Sequence, residues 1–264
     1  MTPADIDKLR ELYTEYERIQ AAFSNVQREV LPNLIRQTPR DPEDRGTIIY
    51  TRLDEGNADK SIRDQIAYFE QMGCAFEWKH YDYDTPPDLK ERLRAHGFEL
   101  EEVESIMALP LANAPVGLLK PVTHDVRRVH DPDQLEDIQR IKEAVWGEER
   151  SFISQFLRHT LLESPQQMSI YVAYAEDRPV SCGWIHFPAE SPFASLWGGS
   201  TLASHRKLGF YTALLSVRVQ EAIARGKQYL TIDASPMSRP IVERFGFVLL
   251  AESTPCIWCV RKTR

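Results

Sequence analysis

The same order of features occurs twice in this chain, roughly 150 residues apart. In the first copy a helical pattern stops at Gly73, an apolar run follows, Pro86-Pro87 opens a second helical pattern, and Gly97-Phe98 leads into another apolar run. In the second copy a helical pattern stops at Gly226, and the run Tyr229–Asp233, prolines and a further helix lead to Gly246-Phe247. Glycine ends a helix because it enters the left-handed cap conformation without a Cβ clash, and an apolar residue after it turns the chain back into the core. The strings Arg94-Ala-His-Gly-Phe-Glu-Leu-Glu-Glu102 and Arg244-Phe-Gly-Phe-Val-Leu-Leu-Ala-Glu252 align around the shared Gly-Phe. Such a repeat implies a duplicated unit of mixed helices and strands, each copy with its own core. The 264 residues accommodate two copies at about 150 residues per domain.

Periodicity fills in the elements. Apolar residues from Ile6 to Leu34 recur at three- and four-residue intervals, which predicts helix over 3–36 with a break near Pro32. A strand at Thr47–Leu53, a helix over 58–72, a strand over 74–83, a helix ending at Gly97 and a strand near Ser105–Leu111 follow. Residues 112–122, with two prolines and a glycine, read as a linker. This divides the chain into 1–111, the linker 112–122, and 123–264. Beyond the linker come a strand at His124–His130 and two helices. Three strands of a meander follow, at 170–174, 180–187 and 194–202. A helix over 209–225 carries Leu215, Val219, Ala222 and Ile223 on its inner stripe, with Arg218, Glu221 and Arg225 opposite. The chain closes with a strand, a helix over 238–245 and a hairpin of 247–251 with 256–261. The expected class is α/β (α+β), with two mixed, mainly antiparallel sheets flanked by helices.

Composition narrows the function. The net charge is −7, and it is uneven: residues 1–120 hold 23 acids against 15 bases, and 121–264 hold 16 against 17. An acidic chain lacks the basic footprint of a nucleic-acid binder. No apolar stretch is long enough for a spanning helix, and the first residues are charged, so neither a membrane nor a secretory signal is expected. Four cysteines are too few for a disulfide framework, which places the expectation in a reducing cytoplasm.

The stretch Ala194 to Leu215 carries the chemistry. A strand runs into Arg206-Lys-Leu-Gly209 and then directly into a helix, so free amides at the positive end of the helix dipole face one point and make an anion site. Gly209 lets the backbone approach a phosphate, and Arg206 and Lys207 add charge. A βα turn with a solvated basic pair fits the same residues. The P-loop and dinucleotide signatures are absent, which takes support from nucleotide hydrolysis and hydride transfer. Gly198-Gly199 inside the preceding strand fits a bulge. No histidine cluster has metal-ligand spacing, and Cys256-Ile-Trp-Cys259 lies in a strand where residues three apart face opposite sides, so no metal is expected.

Arg206-x-x-Gly209-x-Tyr211 followed by Thr-Ala-Leu-Leu resembles the Arg/Gln-x-x-Gly-x-Gly/Ala acyl-CoA signature of the GNAT acetyltransferase superfamily. Asp233-Ala-Ser-Pro-Met-Ser-Arg-Pro-Ile-Val-Glu-Arg-Phe-Gly-Phe247 is similar to the superfamily's terminal strand, helix and Gly-Phe ending. The likeness covers 124–262 well and 1–120 only through the repeat. It implies an N-acetyltransferase that moves an acetyl group from acetyl-CoA to an amine by direct attack in a ternary complex. It also implies that the first half is a degenerate GNAT-like domain, because Gly56-Asn-Ala-Asp-Lys60 lacks the Arg-x-x-Gly spacing. The co-substrate would lie along the strand edge at Thr201, Leu202 and Ala203. Arg206, Lys207 and the amides of Lys207, Leu208, Gly209, Phe210, Tyr211 and Thr212 would hold its phosphates, with Ser235 and Ser238 beside the pantetheine.

Two departures matter. Tyr211 replaces the signature's last small residue, and Val242 stands where superfamily members often carry a proton-donating tyrosine. The usual glutamate on the fourth strand also has no equivalent, which leaves Asp233 and His186 as candidate general bases, each equally readable as structural. Cys182 is a conceivable acyl carrier, with a buried strand cysteine as the alternative. The acceptor would be a small molecule or peptide amine, and a homodimer stays open. A non-catalytic acyl-CoA-binding module and a transferase with another acyl donor fit the same residues.

Overall fold

The computed structural model of the chain describes residues 1–23, 25–41, 44–147 and 151–260. Helix α1 (Pro3–Tyr13) continues as a π-helical turn over Thr14–Ile19. Then come β1 (Val26–Val30), β2 (Leu34–Pro39), β3 (Gly46–Thr51), α2 (Ala58–Met72), β4 (Phe76–Tyr81), α3 (Leu89–Ala95), β5 (Glu99–Leu100) and β6 (Glu104–Pro110). The order goes on with α4 (Val116–Leu119), β7 (Asp125–Arg128), α5 (Leu135–Trp146), α6 (Ser151–Glu163), β8 (Met168–Ala175), β9 (Arg178–His186) and β10 (Phe193–Thr201). It ends with α7 (Phe210–Ala224), β11 (Tyr229–Ala234), α8 (Arg239–Glu243) and β12 (Val248–Trp258). The class is mixed α and β with mainly antiparallel strands, as expected.

Two compact units emerge. The first gathers Met1–Met107, Asp233–Ile241 and the stretch from Leu249 on, and the second gathers Ala108–Ile232 and Val242–Val248. This division does not follow chain order, because β12 pairs antiparallel with β4, Cys256 opposite Trp78 and Ser253 opposite Tyr81. The C-terminal strand therefore belongs to the first unit. Residues 112–122 lie in the second unit and include α4, whose Leu118 is buried.

In the first unit β1-β2-β3-β4-β12 are neighbours, and all pair antiparallel except β3 with β4, which α2 connects in parallel. Ile62 and Phe69 recur at a seven-residue interval on α2 and bury against Phe76, Trp78, Leu89 and Leu93. Each such side chain contributes roughly 1.5–3 kcal/mol when fully buried. Near the N-terminus the structure departs from the periodicity. The helix expected to reach residue 36 stops at Ile19, and 26–39 form a hairpin in which Val30 pairs with Ile35. The four-residue spacing of Val26, Val30 and Leu34 had imitated a helix, while Pro32 marked the turn.

Arg18, in the π-helical turn, is fully buried beside Asp84, with Nη1 2.9 Å from the carboxylate. Its guanidinium lies over the Tyr81 ring at 3.7 Å, and its Nε donates to the Ile49 carbonyl. Asp84 thus belongs to a buried ion pair, while Asp82 two residues earlier is exposed.

In the second unit β7-β8-β9-β10-β11 are neighbours, antiparallel except for β10 with β11. Helices α5 and α6 pack Leu135, Ile138, Ile141 and Leu157 on Ile170, Val172 and Cys182. Helix α7 is buried on more of its circumference than a surface helix. Leu215, Val219 and Ala222 face inward as expected, but Ile223 is exposed and Arg218, placed on the outer face by periodicity, is 2% exposed. Arg218 is covered by β9, where it donates to the Trp184 carbonyl, while α4 packs on another side of α7, where Gln220 donates to the Leu118 and Lys120 carbonyls. The hairpin expected over 247–261 is instead one strand, β12, and Arg261 lies outside the described residues. No helix among the described residues is long and apolar enough to cross a membrane.

Candidate functional site

The site begins with a strand that loses its neighbour. The parallel ladder of β10 with β11 joins Phe193 to Tyr229, Ala194 to Leu230 and Ser195 to Thr231, and stops there. From Leu196 onward β10 keeps only β9, and its register slips between Trp197 and Ser200, so that Gly198 and Gly199 stand opposite Gly183. This is a β-bulge, which bends and twists the strand that carries it. Gly198 has φ 67°, and a Cβ there would come within 1.9 Å of the Trp184 ring. Only glycine fits. The outer edge of β10 past the bulge offers backbone groups to an added extended segment.

Two groups brace this opening. Arg218 reaches beneath the bulge from α7, its Nε donating to the Leu214 carbonyl and its Nη1 to the Trp184 carbonyl. Burial lowers its pKa, and its partners are carbonyls rather than carboxylates. Trp146, at the end of α5, donates from Nε1 to the Ser200 hydroxyl at 3.1 Å. Thr201 closes the strand with a 2.7 Å hydrogen bond to Ser181, and the Leu202 amide donates to the Val180 carbonyl.

After β10 the chain makes a short turn over Ala203–His205, takes Lys207 and Gly209 through the left-handed region at φ 64° and 89°, and enters α7. A left-handed lysine costs about 1–2 kcal/mol, so the turn is strained. Among the described residues the amides of Lys207 through Thr212 have no hydrogen-bond acceptor, whereas the next amide, of Ala213, bonds to the Gly209 carbonyl. Arg206 and Lys207 are exposed beside them, and the Arg206 Nε donates to the Thr201 carbonyl. Six free amides, a helix dipole and two cations form a cradle whose chemistry suits an anion. Tyr211 packs toward Gly199, 3.7 Å from where a Cβ there would stand, and burial raises its phenol pKa. Its ring therefore leaves the cradle clear.

The other expected site residues fall elsewhere. Thr201, Leu202, Ala203, Arg206, Lys207, Leu208, Gly209, Phe210, Tyr211 and Thr212 are together in the second unit, while Asp233, Ser235 and Ser238 belong to the first. There Ser235 and Ser238 bond to each other in the turn after β11, with hydroxyls 3.2 Å apart. Asp233 is ion-paired with Lys79, which also lies 3.8 Å from Glu104. Burial works to lower the Lys79 pKa, but Asp233 and its neighbours outweigh it and hold the ammonium charged. Burial raises the pKa of Glu104 and of Glu77 beside it.

His186 is buried at the end of β9 opposite Ser195, and burial, with Lys227 nearby, brings its pKa down to about 4. It is a neutral imidazole and a weak base. Burial pushes the Cys182 thiol up to about 11, which removes it as an acyl carrier at neutral pH. Val242 is fully buried and supplies no proton. Cys256 is buried in β12, whereas Cys259 lies just past the end of that strand and is exposed; both are free thiols.

The arrangement has known counterparts. No family model matches the chain, and no curated protein matches it either. Solved structures do. A GCN5-related N-acetyltransferase from Kribbella flavida superposes over 96% of this chain and 95% of its own, with a TM-score of 0.70 and 12% identity. The chain has the GNAT fold. A tandem GNAT protein from the clavulanic acid biosynthesis pathway matches 99% of this chain and 90% of its own, at TM-score 0.59 and 12% identity. A GCN5-related N-acetyltransferase from Sphaerobacter thermophilus matches 100% and 95%, at TM-score 0.59 and 13% identity.

Proposed function

We propose that this protein is an N-acetyltransferase that takes the acetyl group of acetyl-CoA to an amine. The observation that carries the reading is the run from the parted edge of β10, through the bulge at Gly198-Gly199, into six amides without acceptors at the start of α7. Those features suit a ligand with an extended amide-bearing arm and a diphosphate at its end. Arg206 and Lys207 would bind the diphosphate with the amides of 207–212, and β10 up to Ala203 would bind the arm. When bound, acetyl-CoA supplies an acyl thioester that a neutral amine can attack. Direct transfer in a ternary complex agrees with the raised pKa of Cys182.

Proton transfer is left to few groups. His186 is a weak base at its lowered pKa, and Asp233 already holds the Lys79 ammonium. These two observations favour, as a second reading, a protein that binds acyl-CoA without turning it over. Release of free CoA from acetyl-CoA with a panel of small amines and peptides separates the readings: acceptor-dependent release supports the enzyme, and binding without release supports the module. The free cysteines suit a cytoplasmic setting.

A further inference from the structure

His124, just ahead of β7, belongs to none of the motifs that mark the turn, yet it touches the turn at its centre. Its Nε2 lies 3.0 Å from the Leu208 carbonyl oxygen. We propose that His124 is the positioning residue of the turn into α7, holding the peptide between Leu208 and Gly209 so that the Gly209 amide faces the bound diphosphate. The inference rests on the acetyl-CoA reading above.

A carbonyl only accepts, so Nε2 carries the proton in this contact. In a trans peptide the C=O and N–H point to opposite sides of the bond. Fixing the Leu208 oxygen toward His124 therefore sends the Gly209 N–H the other way. The ring is placed from two further directions. It meets Phe210 edge to face with centroids 4.9 Å apart, and a Cβ on Gly209 would stand 3.0 Å from His124 Cε1 and 3.1 Å from Nε2. The glycine thus serves this contact as well as its own φ of 89°.

The contact is needed because the peptide it holds joins the exposed Leu208 to the left-handed Gly209, one residue after the left-handed Lys207. Among the described residues the amides around it have no acceptor, and the other anchor of the turn, Arg206 Nε to the Thr201 carbonyl, lies three residues from Gly209. A flip of that peptide would turn a carbonyl dipole toward an anion and replace attraction with repulsion. Beside the ring is an open cavity of about 250 Å³, lined by Lys120, Thr123, Thr212 and Ser216 among others, so packing alone does not confine the imidazole. The hydrogen bond does.

Calorimetric titration of the full chain tests this with three ligands: acetyl-CoA, inorganic pyrophosphate and S-acetylpantetheine, which lacks the diphosphate. His124→Ala should weaken acetyl-CoA and pyrophosphate about 5- to 10-fold, as expected for one lost hydrogen bond, and leave S-acetylpantetheine unchanged. His124→Gln, whose side-chain amide can donate to the same carbonyl, should recover most of the loss. Thermal melts accompany each variant, and if His124→Ala does not fold, His124→Gln against His124→Leu carries the same comparison. Unchanged affinity for acetyl-CoA and pyrophosphate in a folded variant overturns the role of His124 while the acetyl-CoA reading stands. An equal loss for all three ligands overturns it in favour of a general structural role. A wild-type protein that binds neither acetyl-CoA nor pyrophosphate overturns both.

Discussion

Two βα turns hold corresponding places in the two units, one between β3 and α2 and the other between β10 and α7, and they treat their amides in opposite ways. Each follows a strand that pairs in parallel with the strand after the helix. In the first turn the Asp54 carboxylate accepts from the Gly56 amide at 2.9 Å and the Asn57 amide at 3.0 Å, and the Asn57 Oδ1 accepts from the Asp54 amide. The turn carries its own anion. In the second turn the amides of 207–212 have no acceptor among the described residues, and the side chains beside them are Arg206 and Lys207. The same scaffold thus leaves its turn amides without acceptors in one unit and fills them internally in the other, so the difference resides in the turn and not in the fold.

The sharpest way to break that comparison is to place an acid in each turn. Gly209→Glu puts a Cβ against His124 at φ 89° and a carboxylate among the free amides, and should weaken acetyl-CoA by about 100-fold or more, the loss of at least one charge-assisted contact. Gly56→Glu, where a Cβ would meet only Asp54 Oδ1 at 3.4 Å, should leave the affinity unchanged. Equal losses in calorimetry would mean that the turns do not differ as described.

Acid sensitivity gives a smaller effect. The native pKa of His186, about 4, lies below the ordinary value of 6.5, so the unfolded chain binds more protons between these values and stability falls as pH drops through the window. From pH 7 to pH 5 this amounts to about 2 kcal/mol. Denaturant melts should show that slope in the wild type and a shallower one in His186→Gln. A slope that persists would move its source to the first unit, where burial also lowers His80.

The smallest effect sharpens the comparison from the other side. Asp54→Ala removes the acceptor of two amides and should cost about 1 kcal/mol in denaturant melts. It should not add a second acetyl-CoA site, because the first turn still lacks a basic pair. A second equivalent bound by this variant would show that the carboxylate alone had separated the turns.

Where sequence spoke clearly, it did so through residues with one conformational use. Gly198 marked the bulge and Gly209 the left-handed turn, because at both positions φ is positive and a Cβ would press on an aromatic ring or an imidazole. Glycines 73, 97, 226 and 246, each at positive φ, marked the ends of the repeated elements. What periodicity missed depended on partners distant in the chain. Val26, Val30 and Leu34 had helical spacing but a hairpin's neighbours, and Arg218 lay on a nominally polar face that β9 beneath the bulge buries. The chain-order division at 112–122 had no means of seeing that β12 pairs with β4. His124 and Lys79 carry no local signal at all, since their roles come from Leu208 and Asp233, 84 and 154 residues away.

The most direct test of the account is the stoichiometry of acetyl-CoA binding by the full-length protein, measured by calorimetric titration at low and moderate salt. One equivalent per chain, weakened by salt as a phosphate site with two exposed cations requires, is the predicted result. A folded protein that binds none, or that binds two with similar affinity, would contradict it.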